Sequence, residues 1–217
     1  AISSANTNTN LAATGLADGT YKVYAVDAAG NLSSPSSNSV TLDTTAPTIT
    51  GTTVASNNAS IAVTFSEALY NTSGGSGALE ASDFSLTISG GTATLSSATP
   101  SSISSSSNTY TLGLSLSGTP NGTENITVLP SSSTAIYDAA GNAASTSQSN
   151  NTVTLNDKTA PTITGTTVAS NNASIAVTFS EALYNTSGGS GALEASDFSL
   201  TLSGGTATLS SATPSSI

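Results

Sequence analysis

The 217-residue chain contains no Cys, His, Met or Trp, and its only basic side chains are Lys22 and Lys158. Without cysteine there is no thiolate nucleophile and no disulfide framework. Without histidine there is no imidazole base, and the two absences together remove the ordinary zinc site. Twelve acidic residues against two basic ones leave a net charge of −10. Nucleic acid and anionic membrane are therefore not expected partners, since both are held by clustered Lys or Arg. Divalent cations are the natural counter-charge. No apolar run reaches the length of a membrane span, and residue 1 does not open the charged start and apolar core of a signal peptide. The expectation is a mature fragment, or a chain whose targeting signals lie outside this stretch.

What is present is repetition. Residues 45 to 103 return at 159 to 217 with one change, Ile88 to Leu202. A near-perfect tandem repeat marks an array of similar modules, and arrays serve reach, stiffness or multivalency more often than chemistry. The substitution conserves volume at a position predicted to face inward, so it carries no functional message.

Ser, Thr, Ala, Asn and Gly dominate, yet Val, Ile, Leu, Phe and Tyr alternate regularly with polar residues. That period of two marks half-buried strands and argues against disorder. Candidate strands run over 48–54 (A), 60–66 (B), 82–89 (C), 92–98 (D), 108–116 (E), 124–130 (F) and 151–155 (G), punctuated by Asn-Asn, Gly-Gly and Pro-containing turns. Ile61, Val63, Phe65, Phe84, Leu86, Leu112, Leu114, Ile126, Val128, Val153 and Leu155 are the predicted interior. Seven short strands in this order predict an all-β fold of immunoglobulin-like β-sandwich modules in an elongated tandem array.

Boundaries fall at 41–47 and 154–161, where Pro47 and Pro161 block continued strand pairing. Residues 1–44 then read as the C-terminal half of a preceding module, 45–158 as a complete repeat, and 159–217 as the N-terminal half of the next. Neither half buries its apolar face alone. Two readings follow. The chain is a window on a longer array, or 159–217 of one molecule is completed by 1–43 of the next as a head-to-tail filament.

The segments FSEAL, SDFSL and YDAAGN and the linker pattern D-x-T-A-P resemble the bacterial immunoglobulin-like repeats of large surface adhesins, S-layer-associated proteins and a swimming-motility surface protein. The D-A-A-G-N turn at 27–31 recurs at 138–142, which ties the first segment to the same class. The resemblance implies a secreted or surface-exposed stalk whose junctions are frequently stiffened by calcium.

In a seven-strand sandwich with alternating strand directions, the start of A and the BC, DE and FG loops share one pole. Asp43 in the first linker, Glu67 at the end of B, Glu80 and Asp83 in the BC loop and Asp138 in the FG loop all map to that pole, with Asp18 of the preceding segment facing it. At the second junction the same mapping collects Glu124, Asp157, Glu181, Glu194 and Asp197, and Asp27 takes the position of Asp138 in the first segment. Two carboxylates about 5 Å apart repel by roughly 3 kcal/mol at an effective dielectric of about 20, so converging acids call for a cation. Calcium, with six to eight oxygen ligands in tolerant geometry, suits a loop-built site, although no EF-hand spacing is present. The plainer alternative is that these acids are solvated loop residues.

A glycosidase pair built from Glu67 with Glu80 or Asp83 is disfavoured by the verbatim repetition of that loop and the absence of Trp. A carbohydrate-binding module has only Tyr70 and Tyr184 as platforms. Isopeptide cross-linking finds no suitable lysine, and the Asn-x-Ser/Thr sites, Asn58 and Asn71 among them, follow from composition. The sequence therefore predicts a non-catalytic stalk or filament segment of an extracellular bacterial surface protein. Its expected partners are adjacent modules of the same chain or of neighbouring molecules, with surface glycans as an alternative.

Overall fold

The computed structural model describes residues 10–217, so residues 1–9 of the N-terminal segment lie outside the described residues. The protein is all-β and β-sandwich-like. Among the described residues its only helical turns are two 3-10 turns, Ala81–Asp83 and Ala195–Asp197. The chain divides into two compact units, one ending at Lys158 and the other spanning Thr159–Ile217.

The first unit opens with an antiparallel pair, β1 (Gly19–Tyr21) and β2 (Val40–Leu42), with Thr20 opposite Thr41 and Tyr21 opposite Val40. Backbone bonds from Ser36 to Val23 and from Ser33 to Ala25 extend this pair toward the 27–31 turn. Beyond the linker, β3 (Ile49–Val54), β4 (Ser60–Phe65), β7 (Ile103–Ser106) and β8 (Thr109–Gly113) form a sheet in the order β3-β4-β8-β7. A second sheet has the order β11-β10-β5, from β5 (Phe84–Ser89), β10 (Asn125–Pro130) and β11 (Thr152–Thr154). A short pair, β6 (Thr94–Leu95) with β9 (Leu116–Ser117), forms a separate two-stranded sheet, with Leu95 and Leu116 packed against the core.

The alternation in sequence becomes alternation in burial. Every second residue of β4 and of β10 is buried, as a strand covered on one face requires. Ile61, Val63 and Phe65 meet Phe84, Leu86, Tyr110, Leu112, Leu114, Ile126, Val128 and Leu155 in one core, with Val153 partly buried at its margin. Phe65, Phe84 and Tyr110 form an aromatic triangle with centroid separations of 6.4, 6.1 and 6.0 Å. These spacings favour tilted and edge-to-face contacts.

Three features depart from the sequence reading. The strand expected over 92–98 shrinks to the two residues of β6, and the edge position beside β8 is taken by β7, whose Ser104–Ser106 run carries no apolar alternation. That strand exists because its backbone completes the ladder of β8 around a turn at Ser107, which adopts φ of 52°. The strand expected over 108–116 is broken into β8 and β9. The core also takes in Ile49, Leu69, Leu79 and Ile136, which come from a strand start and loops. Asn58 is buried at φ of 58° and exchanges bonds with Asn156, its amide reaching the Asn156 carbonyl at 2.7 Å, so it is not an exposed glycan acceptor.

The second unit holds β12 (Ile163–Val168) paired with β13 (Ile175–Phe179), the counterparts of β3 and β4, with the same register shift near the strand start. Its apolar face is open. Ile163 is 61% exposed where Ile49 is 2%, Ile175 50% where Ile61 is 0%, and Val177 37% where Val63 is 0%. Residues 198–203 copy β5 apart from Leu202 but are not a strand. The difference is the ladder: β5 is bonded to β10, and the second unit contains no counterpart of β10.

Candidate metal centre at the linker

The linker between β2 and β3 is fastened by side chains whose types were chosen locally. Asp138 opens a tight turn in which its Oδ1 accepts the backbone N–H of Ala140 and of Asn142, both at 2.8 Å, while its Oδ2 accepts the Asn142 amide at 2.7 Å. Such Asx geometry lets a short carboxylate replace a backbone acceptor inside a turn. Gly141, at φ of 93°, completes the turn and lies against the Ser73 carbonyl, where an added Cβ would sit 2.6 Å from that oxygen. The Asn142 amide also donates to the main-chain carbonyls of Asp43, at 3.1 Å, and Thr45, at 3.4 Å. Asp43 in turn accepts the Thr45 N–H at 3.0 Å.

Three of the sequence-predicted acids come together here. Carboxylate oxygens of Asp43, Glu67 and Asp138 all lie within 4.8 Å of one another, with Asp138 buried and the other two half-buried. Burial first, then the charges of Asp138 and Asp43, push the Glu67 carboxyl above its ordinary value. The donor set is all oxygen and anionic, which fits a hard divalent cation. Three carboxylates fall short of the six to eight ligands calcium takes, so backbone carbonyls and water would supply the remainder.

The other predicted acids lie elsewhere. Asp18 accepts the N–H and hydroxyl of Thr44 and the hydroxyl of Thr45, at 3.0, 2.8 and 2.8 Å. The Thr44 and Thr45 hydroxyls and the Thr44 N–H lower its pKa, and the same bonds tie it to the linker. Asp83 accepts the Glu80 N–H at 2.7 Å and caps the 3-10 turn, and Asp197 does the same for Glu194 at 2.8 Å. Asp27 repeats the Asp138 turn with Ala29 and Asn31, and the Asn31 amide and N–H hold its pKa down. Asp157 lies beside Gly122, and Glu181 is exposed in the second unit.

Glu124 is fully buried within the first unit. Its carboxylate accepts N–H groups of Thr92, Ala93 and Asn121 at 2.7, 3.0 and 3.0 Å. Burial by itself would raise its pKa. The backbone donors of Ala93, Thr92, Glu124 itself and Asn121 outweigh it and lower the carboxyl to about 2. Gly91 is required beside it, because a Cβ there would run into the Glu124 carboxylate. A glutamate with a glycine pair upstream gives no sequence signal for this arrangement.

Asn142 is the functional residue that sequence reasoning missed. The recurrence of D-A-A-G-N pointed at it, but its link to the linker carbonyls depends on a separation of 99 residues in sequence. Tyr70, considered as a sugar platform, is half-buried and exchanges backbone bonds of 2.7 and 2.8 Å with Tyr137. Fold and site together define a β-sandwich-like all-β protein with an acidic cluster at an interstrand linker. No known protein family, curated protein or solved structure matches the chain.

Proposed function

We propose that the chain is a non-catalytic structural segment of an extracellular bacterial surface protein, built from tandem immunoglobulin-like modules in an elongated array with calcium at their junctions. The observation that carries this reading is the fastening of the linker. Asp43 is held by Asn142 while its carboxylate joins Glu67 and Asp138, so the strap between two successive segments is itself part of the acidic cluster. The strand orders β3-β4-β8-β7 and β11-β10-β5 support the immunoglobulin-like assignment, since they are the two-sheet arrangement of that architecture. The tandem repeat supports an array, and a cation bound at the Asp43 linker would resist bending there.

Calcium titration of the chain, followed by calorimetry and thermal melting, tests the junction. Calcium at about a hundredfold above its dissociation constant should stabilise the first unit by about 2.7 kcal/mol. Asp43→Asn should remove most of that gain. A melting temperature indifferent to calcium in the unaltered chain would sink the metal assignment.

A further inference from the structure

Asn121 and Gly122 are the one Asn-Gly pair in the chain, and they sit in the turn that holds the buried Glu124. We propose that Asn121 is a self-modification site, at which the Gly122 backbone nitrogen closes on the Asn121 side-chain amide and water then converts the residue to aspartate or isoaspartate. The inference needs no cation and stands apart from the junction reading.

The electrophile is held and polarised. Asn121 Oδ1 accepts the Thr123 N–H at 3.1 Å and the Thr123 hydroxyl at 2.6 Å. The first of these bonds makes an Asx turn, which folds the side-chain carbonyl back over the following peptide. Negative charge collects on Oδ1 when Cγ is attacked, so two donors already aimed at that oxygen stabilise the tetrahedral state. The nucleophile is open. Gly122 has no side chain to crowd its nitrogen, and among the described residues no acceptor holds its N–H. With φ of 79°, and with an added Cβ only 3.1 Å from Asp157 Cβ, the position itself calls for glycine. Asn57 and Asn171 are internal comparisons, since each accepts an N–H two residues on in the same kind of turn, from Ala59 and Ala173, both at 3.0 Å. An alanine has no hydroxyl to give, and the residue that follows each of them is an asparagine.

The atoms balance with water as the only co-reactant. A solvent base takes the Gly122 N–H proton, the bond from that nitrogen to Asn121 Cγ forms, and Nδ2 leaves as ammonia with a proton from water. One further water opens the imide ring. Breaking the new bond to Cγ gives aspartate, whereas breaking the older bond to the Asn121 main-chain carbonyl carbon gives isoaspartate, whose backbone runs through Cγ. The Asn121 N–H donates to the Glu124 carboxylate at 3.0 Å, and the Pro120 carbonyl accepts the Lys158 N–H at 2.8 Å. Isoaspartate lengthens the main chain inside this short turn, and either product adds a carboxylate three residues from Glu124. The modified chain therefore holds Glu124 and Lys158 less firmly.

The test is to age the 217-residue chain at neutral and mildly alkaline pH and to locate amide-to-acid conversion by peptide mass spectrometry with fragmentation that separates aspartate from isoaspartate. Asn121 should convert first, with isoaspartate among the products, while Asn57 and Asn171 remain amides. Conversion should be faster at the higher pH, because the Gly122 nitrogen must lose its proton. Thr123→Val keeps the N–H donor and removes the hydroxyl, so it should slow conversion severalfold, and melting of the fresh variant checks that it is folded. The aged parent should melt below the fresh one, whereas Asn121→Ser, which keeps an oxygen for the turn and has no amide to lose, should not drift with age. A synthetic peptide of residues 118–125 gives the rate without the fold. An Asn121 that outlasts the same residue in that peptide overturns the proposal, as does a folded Thr123→Val chain that converts as fast as the parent.

Discussion

Asn142 donates its side-chain amide at once to the Asp138 carboxylate, at 2.7 Å, and to the main-chain carbonyl of Asp43, at 3.1 Å. One side chain thus fixes the orientation of a cluster acid and the path of the linker that carries another. A local turn motif has become a tertiary fastening.

Asn142→Ala leaves the Asp43 carbonyl without this donor and strips the Asp138 Oδ2 of its amide. The expected loss is about 1 to 3 kcal/mol, the range for orphaning partly buried polar groups. Urea unfolding of the parent and variant measures it. Asn142→Asp should lose more in chelator, because it adds a fourth carboxylate to the cluster, and should recover part of that loss when calcium is added.

Glu67→Gln should stabilise the chain at neutral pH in chelator. Burial and the neighbouring acids raise the folded-state pKa of Glu67, so folding favours its protonated form. That favourable state is fully present below the ordinary value of 4.5 and is lost as pH rises through the raised value. The advantage of the glutamine variant should therefore shrink as pH is lowered toward 4.5. With calcium present the sign should reverse, and a variant weaker than the parent in chelator at neutral pH would contradict the repulsion argument.

Glu124 works in the opposite sense. Its folded carboxyl lies near 2 against an ordinary 4.5. Its stabilisation is complete above 4.5 and drains away as pH falls toward 2. Glu124→Gln should cost about 2 kcal/mol at neutral pH, since an amide replaces charge-assisted acceptors. The variant should show a flatter acid limb in a pH series of unfolding midpoints.

Ile61→Ala and Ile175→Ala change the same residue in two copies of the same segment. The first should cost about 2 to 5 kcal/mol, the range for emptying a packed core position. The second, half exposed in the free chain, should fall within about 0.5 kcal/mol. Melting of the two variants beside the parent compares them, and equal costs would show that the second copy is buried after all.

Much of the core was legible because strands write their burial into the sequence with a period of two: Ile61, Val63 and Phe65 could only face one way together. Ile136 and Leu79 were not, since a single apolar residue in a loop has no period to read. For the site, acids were legible as loop residues, and the strand order predicted that Asp43, Glu67 and Asp138 share a pole. Nothing in their spacing separates them from Glu80 and Asp83, which turn aside to cap a 3-10 turn.

Residues 84–89 and 198–203 draw the line between the two levels of information. By itself the sequence determined which side chains alternate, where prolines and glycines break the chain, and the aspartate turns, all of which are settled by neighbours a few residues apart and recur in both copies. Whether such a segment becomes a strand was decided only by tertiary structure. An extended backbone keeps its donors and acceptors unsatisfied until a ladder meets them, and β10 meets those of β5 while no strand meets those of 198–203. The same rule made a strand of the serines in β7, and only the folded chain brings three distant carboxylates within 4.8 Å of one another.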